Sequence, residues 1–273
     1  MLGVHLSPEE LDRLLRRLRA AGCVFAEDEA TLLAEAAGSD DELWALAARR
    51  ETGEPLEQVL GWVDFCGLRL AVAPGVFVPR QRTTLLVDEV VALVRPGATV
   101  VDLGCGVGAI AAAVLDQAPG IEVYAVDVDP AAVACAKRNL PPECVFEGDL
   151  YHGLPPAVRG RIDLIAANAP YVPTEAIAQM PREAREHEHL VALDGGPDGL
   201  TVQRWVIAEA RAWLRPGGHL LVETGRPQLE ATSAAFRAAG LTVAVASDED
   251  SGGLVVWGAT YPNGGMKGTA RPT

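Results

Sequence analysis

Five short apolar runs, separated by helical stretches, constrain this chain more than any other feature. They are ATVVDLG (98–104), IEVYAVDVD (121–129), CVFEGDL (144–150), RIDLIAAN (161–168) and GGHLLVET (217–224). Between several of them lie stretches of helical character, Ala109–Asp116, Pro130–Asn139 and Val202–Leu214. Strands alternating with helices predict a parallel sheet with helices on both faces, a doubly wound α/β fold. Ligands of such a sheet bind at the carboxyl ends of its strands. The residues that end each run are therefore the ones to read for chemistry.

The chain ahead of this pattern is different. Ser7-Pro8-Glu9-Glu10 is a capping box with proline at the first helical position. Leu11, Leu14, Leu15 and Leu18 then recur at helical spacing up to Gly22. A second helix is predicted from about Asp28 to Ala37. A third starts at Ser39-Asp40-Asp41-Glu42, with Leu43, Leu46 and Ala47 on one face, before Thr52-Gly53-Glu54-Pro55 breaks the pattern. From Trp62 to Val78 the period shortens to β-like pieces, VDFCG, LRLAVAPG and VFVP, which predict a hairpin-like connector. A helix over Leu85–Val94 follows. The expected organisation is a helical domain (1–60), a β-hairpin linker (61–84), an α/β domain (85–262) and a flexible tail (263–273) rich in Gly, Pro and Thr.

Composition narrows the partners. The 273 residues are 49% hydrophobic and 22% charged, an ordinary globular balance, and the net charge is −14. That charge disfavours extended binding to a phosphate backbone, which depends on Lys and Arg. No apolar run is long enough to span a bilayer, and the first twenty residues fit neither a signal nor a transit peptide. Five cysteines, odd in number and without a CxxC pair, read as free thiols of a cytoplasmic protein with no metal site.

The first run ends in Asp102-Leu103-Gly104-Cys105-Gly106-Val107-Gly108. Glycines are needed where the backbone turns sharply and approaches a ligand closely. Gly104, Gly106 and Ala109 also satisfy a relaxed dinucleotide fingerprint, with Asp127 near the ribose position, so a nicotinamide enzyme is one reading. A carboxylate two residues ahead of the first glycine, placed to receive an ammonium directly or through water, favours another. Asp-x-Gly-x-Gly-x-Gly at a first strand resembles motif I of class I S-adenosylmethionine-dependent methyltransferases. That resemblance implies a cofactor site made of Asp102, Gly104, Cys105, Gly106, Val107 and Gly108. Asp127, followed by Val128, would accept both ribose hydroxyls, and Asp149 and Leu150 would flank the adenine. Cys105 reads as small-residue packing within the loop.

The fourth run ends in Asn168-Ala169-Pro170-Tyr171. Alone, this is a turn, since Asn tolerates left-handed geometry and Pro170 restricts the residue before it. Opposite a cofactor loop it predicts more. The Asn168 side-chain oxygen and a following backbone carbonyl can both accept from one NH₂ group, and Tyr171 can pack on a flat amide or base. Positioning and in-line displacement then suffice for methyl transfer. The stretch resembles the (Asp/Asn)-Pro-Pro-(Tyr/Phe) motif of methyltransferases that modify planar amino groups. The match assigns catalysis to Asn168, Pro170 and Tyr171, and acceptor binding to these and Ala169, with Asn168 also touching the cofactor. Ala169 departs from the motif and costs the loop one fixed φ angle.

EPLEQVLGWVDFCGLRLAVAPGVFVPRQRTTLLVDE resembles the linker of the HemK/PrmC family, the glutamine N(5)-methyltransferases of peptide-chain release factors. HEHLVALDGGPDGL and GGHLLVETG resemble two further family stretches. The resemblance implies a seven-stranded class I methyltransferase sheet, completed by LTVAVASDED and LVVWGATY as an antiparallel edge pair. It also implies a protein substrate carrying a target glutamine, gripped in part by the N-terminal helices. Gln81-Arg82, Thr84 and His189 stand where the family pattern has Pro-Glu, Glu and Pro, which marks a divergent paralogue. Glu186, His187, Glu188 and His189 read as a solvated polar segment. Two alternatives stay open, methylation of another amide or exocyclic amine (small molecule or nucleic acid), and cofactor binding without turnover.

Overall fold

In the computed structural model, which describes residues 3–260, the five apolar runs lie side by side in one sheet. Four helices come before the hairpin, α1 (Pro8–Ala20), α2 (Ala26–Ala36), α3 (Asp40–Glu51) and α4 (Leu56–Leu60). The Ser7–Glu10 capping box forms in both directions, with the Glu10 carboxylate accepting from the Ser7 amide at 2.9 Å. Leu14, Leu18, Leu33 and Leu43 close a core of this segment's own. The hairpin is β1 (Trp62–Phe65) paired with β2 (Leu68–Ala71). VFVP, expected to be β-like, forms no strand; the adjacent Gly75 makes only an isolated bridge to Glu188. Pro79 and the turn that follows keep this segment out of a ladder.

The large sheet is built from β3 (Thr99–Leu103), β4 (Glu122–Asp127), β5 (Val145–Glu147), β6 (Ile162–Ala167), β7 (Leu214–Glu223), β8 (Ala244–Ser247) and β9 (Leu254–Ala259). The helices around it are α5 (Thr84–Leu93), α6 (Ala109–Gln117), α7 (Pro130–Asn139), α8 (Arg182–His187), α9 (Thr201–Trp213) and α10 (Leu229–Ala238). Strand order is β5-β4-β3-β6-β7-β9-β8, with β9 antiparallel to both of its neighbours and the other pairings parallel. The expected edge pair is therefore present. β3 is central because Val100, Val101 and Leu103 are apolar on both faces and buried. One core, with Val100, Ile110 and Val133, packs against one face; another, with Val101, Ile165 and Ile207, packs against the other.

The chain moves outward from β3 to β4 and β5, then returns to the other side of β3 as β6 and β7. The carboxyl ends of β3 and β6 thus meet at the point where the strand order reverses, the usual place for a ligand in an open α/β sheet. The tail (263–273) lies outside the described residues, as do the last two residues of the 85–262 segment.

Candidate active site

A cavity of about 380 Å³ opens at that switch point. Gly104, Cys105, Gly106 and Val107 line it from the end of β3, Asp127 and Val128 from β4, Asp149 and Leu150 from beyond β5, and Asn168 to Tyr171 from β6. The sequence-derived candidates converge there, with two exceptions. Gly108 lies just behind the lining as the left-handed residue that opens α6, at φ +80°. Asp102, 1% exposed, lies beneath the loop.

The loop is held by its neighbours. Gly104 and Cys105 both donate to the Val126 carbonyl, at 2.8 and 3.0 Å. The Asp127 carboxylate accepts from the Gly106 amide through one oxygen (2.8 Å) and from the Asp129 amide through the other (2.9 Å). Asp127 therefore orients the glycine loop while facing the cavity with remaining lone pairs. Asn139 reaches in from α7 to accept from the Ala71 amide and to donate to the carbonyls of Ala71 and Val107, tying the hairpin to the same loop. Cys105 is packed in the core, and burial raises its thiol well above the usual range, which disfavours the thiolate.

Asp102 accepts from the Ala111 amide in the first turn of α6 at 3.1 Å. Its second oxygen is buried with no partner among the described residues. Burial pushes the carboxyl up to about 7, opposed by the Ala111 amide and reinforced by Asp127. A buried, orphaned acceptor beneath a glycine loop is what an ammonium arriving from above would satisfy.

At the end of β6, Asn168 Nδ2 donates to Thr83 Oγ1 at 3.2 Å. This contact fixes the amide and leaves Asn168 Oδ1 as an uncommitted acceptor. Tyr171 Oη lies 2.9 Å from Arg82 Nε and 3.3 Å from Glu223 Oε1, and Arg82 Nε also donates to Glu223 at 3.2 Å. Burial raises the Tyr171 hydroxyl, with the Glu223 charge adding to the effect and Arg82 opposing it. The Tyr171 carbonyl accepts from Gln228. Sequence reasoning missed Thr83, Arg82 and Glu223 as partners of this loop. Thr83 precedes α5 and Glu223 ends β7, so no spacing along the chain relates them to Asn168.

Within the segment 186–189, Glu186 and His189 are exposed, as a solvated segment requires, but Glu188 is not. Glu188 is buried, with its carboxylate accepting from the Val78 amide (3.0 Å) and from Arg80 (2.7 Å). Burial raises its pKa, and Arg80 opposes the rise. His189 pairs with Asp129 on the far side of the cleft. Alternating polar letters concealed this, because the partners are more than fifty residues away in sequence. Among the described residues no cluster of His, Cys, Asp or Glu is arranged to hold a metal.

A doubly wound sheet, a glycine loop closing on a strand-end acid, and an amide-bearing loop across the switch point together define a class I methyltransferase that uses S-adenosylmethionine. The Methyltransferase small domain family matches residues 67–187. The release factor glutamine methyltransferase of Geobacter sulfurreducens is 38% identical over 211 residues, 76% of this chain and 73% of that protein. A 4-amino-L-phenylalanine/4-methylamino-L-phenylalanine methyltransferase of Streptomyces pristinaespiralis is 36% identical over 72% of this chain and 70% of its own. The crystal structure of a methyltransferase from Pyrococcus furiosus superposes with a TM-score of 0.55 at 18% identity, covering 71% of this chain and 90% of that one, a likeness of fold. The chain belongs to the HemK/PrmC-like family of release factor glutamine methyltransferases.

Proposed function

We propose that this chain methylates the side-chain amide nitrogen of a glutamine in a protein acceptor, a release factor being one candidate. The observation that carries the reading is Asn168, locked by Thr83 so that its Oδ1 stays available, in the same cavity as the glycine loop. The relatives named release factor glutamine methyltransferase, 35–42% identical, support the acceptor class.

Bound S-adenosylmethionine supplies an electrophilic methyl group on a sulfonium. Gly104 to Gly108 and Asp127 would form its cradle, Asp102 would take its ammonium directly or through water, and Val128, Asp149 and Leu150 would border the adenosine end. Asn168 Oδ1 and the carbonyl of Ala169 accept from the two N–H bonds of the target amide. This fixes the nitrogen in line and keeps its lone pair toward the methyl group. Pro170 restricts the loop, and Tyr171, held by Arg82 and Glu223, packs on the amide plane. As the N–C bond forms, the S–C bond would break and its electron pair would stay on sulfur, leaving S-adenosylhomocysteine; the amide proton then passes to solvent. The N-terminal helices supply a further surface for a protein acceptor. Five unpaired cysteines fit a reducing cytoplasm, and no described helix is long and apolar enough to cross a membrane.

The experiment is transfer from methyl-labelled S-adenosylmethionine into a bacterial extract by the purified protein, with the label mapped. Label on a glutamine side chain supports the reading. Label in nucleic acid, or in an aromatic amine like the substrate named for the Streptomyces relative, replaces it.

A further inference from the structure

The cavity is polarised. Asp127, Asp129 and Asp149 line one end, and the cations of its lining are Arg80 and Arg82. Arg80 gives one Nη to the buried carboxylate of Glu188. Arg82 uses only Nε, shared between Tyr171 Oη and Glu223 Oε1. Both Nη groups of Arg82 are without a hydrogen-bond partner among the described residues, and its side chain is 41% exposed. Arg82 is thus gripped at its neck by the acceptor loop while four N–H donors remain free beside that loop.

Such a fork is suited to a carboxylate, which it can hold through two parallel bonds. Tyr171 and the buried Glu223 fix Nε, so little side-chain entropy is lost when an anion binds. The whole chain carries a net charge of −14 and would otherwise repel an acidic acceptor. Position 82 is also where the family pattern carries Glu, which would discriminate in the opposite sense.

We propose that Arg82 is a specificity-determining residue that recognises a carboxylate on the methyl acceptor, close to the nitrogen that is methylated. The inference rests on Asn168–Tyr171 being the acceptor loop. The carboxylate belongs either to an acidic residue flanking a target glutamine or to the main chain of a free amino acid; the chemistry is shared.

Equilibrium binding tests it without requiring turnover. The protein, saturated with S-adenosylhomocysteine, is titrated with N-acetyl-Gln-Asp amide and N-acetyl-Gln-Asn amide, then with 4-amino-L-phenylalanine and its carboxamide. In at least one pair the acid should bind at least tenfold more tightly than its neutral partner, and the preferred pair identifies the source. That preference should weaken with added salt, disappear in Arg82→Gln and partly return in Arg82→Lys, with cofactor affinity unchanged throughout. A merely structural role for Arg82 would lower all affinities together and leave the acid-to-amide ratio intact. Equal affinities in both pairs, no binding of any probe, a preference that survives Arg82→Gln, or loss of cofactor affinity in that variant overturns the proposal. Labelled transfer to a non-glutamine acceptor that carries a neighbouring carboxylate overturns the glutamine reading alone.

Discussion

Asp102 and Asn168 end adjacent strands, yet their environments separate their tasks. Asp102 is sealed under the glycine loop with one oxygen bonded to the Ala111 amide and the other unpartnered. Because burial raises its folded-state pKa to about 7, above the value near 3.9 of an unfolded chain, the folded protein holds this proton more tightly. The contribution of Asp102 to stability is therefore fully present at low pH and lost as pH rises from about 4 to about 7, a change on the order of a few kcal/mol in the cofactor-free protein. Asp102→Asn keeps an oxygen for Ala111 and removes the titration. The variant should show a flatter dependence of Tm on pH, unfold no earlier than the wild type at pH 8, and bind S-adenosylmethionine at least tenfold more weakly. Thermal melts at pH 5 and pH 8, with calorimetry, check all three.

At the level of elements, the glycine loop is a turn whose conformation admits few side chains. Gly104, Gly106 and Gly108 have φ of +71°, +56° and +80°. A Cβ on Gly108 would also stand 2.7 Å from Leu140 Cδ1. Gly108→Ala should cost about 1–3 kcal/mol from backbone strain and crowding. A Tm lowered by several degrees with native secondary structure at low temperature would bear this out. These strand ends were legible in the sequence because each signal is local: an apolar run, then a turn residue with a chemical reason to be there. The antiparallel edge pair was legible on the resemblance to the family. What stayed hidden joins distant segments. Glu188 looked solvated among His187, His189 and Glu186, but its partners Val78 and Arg80 lie about 110 positions earlier. Thr83, Arg82 and Glu223 acquire their roles where the turn before α5 and the end of β7 meet the 168–171 loop. Side-chain pairs of this kind leave no period in the chain.

At the scale of the whole molecule, the helical segment is tied to α8 and to the segment after the hairpin by polar contacts. Arg50, 7% exposed, is bonded to both oxygens of Glu29, at 2.7 and 3.1 Å, and reaches Glu183 of α8 at 2.6 Å. Gln58 donates to the carbonyls of Val76 and His187 at 3.0 and 3.1 Å. Removing one partner of a buried pair leaves the other charge uncompensated, so Arg50→Ala should cost about 3–5 kcal/mol. This loss should raise KM for a protein acceptor while leaving S-adenosylmethionine affinity within about twofold, because the cofactor loop hangs from β3 and β4. Denaturant melts and steady-state kinetics separate the two effects.

In the proposed function, the fold brings an amide-holding loop to a cofactor cleft, and the two act separately. Asn168→Ala tests it most directly, through single-turnover transfer measured beside equilibrium binding of S-adenosylmethionine. Transfer should slow by roughly 10²–10³, the range for removing one preorganised hydrogen-bonding group, with cofactor affinity largely retained. Transfer at the wild-type rate, or a loss fully explained by weaker cofactor binding, would contradict it.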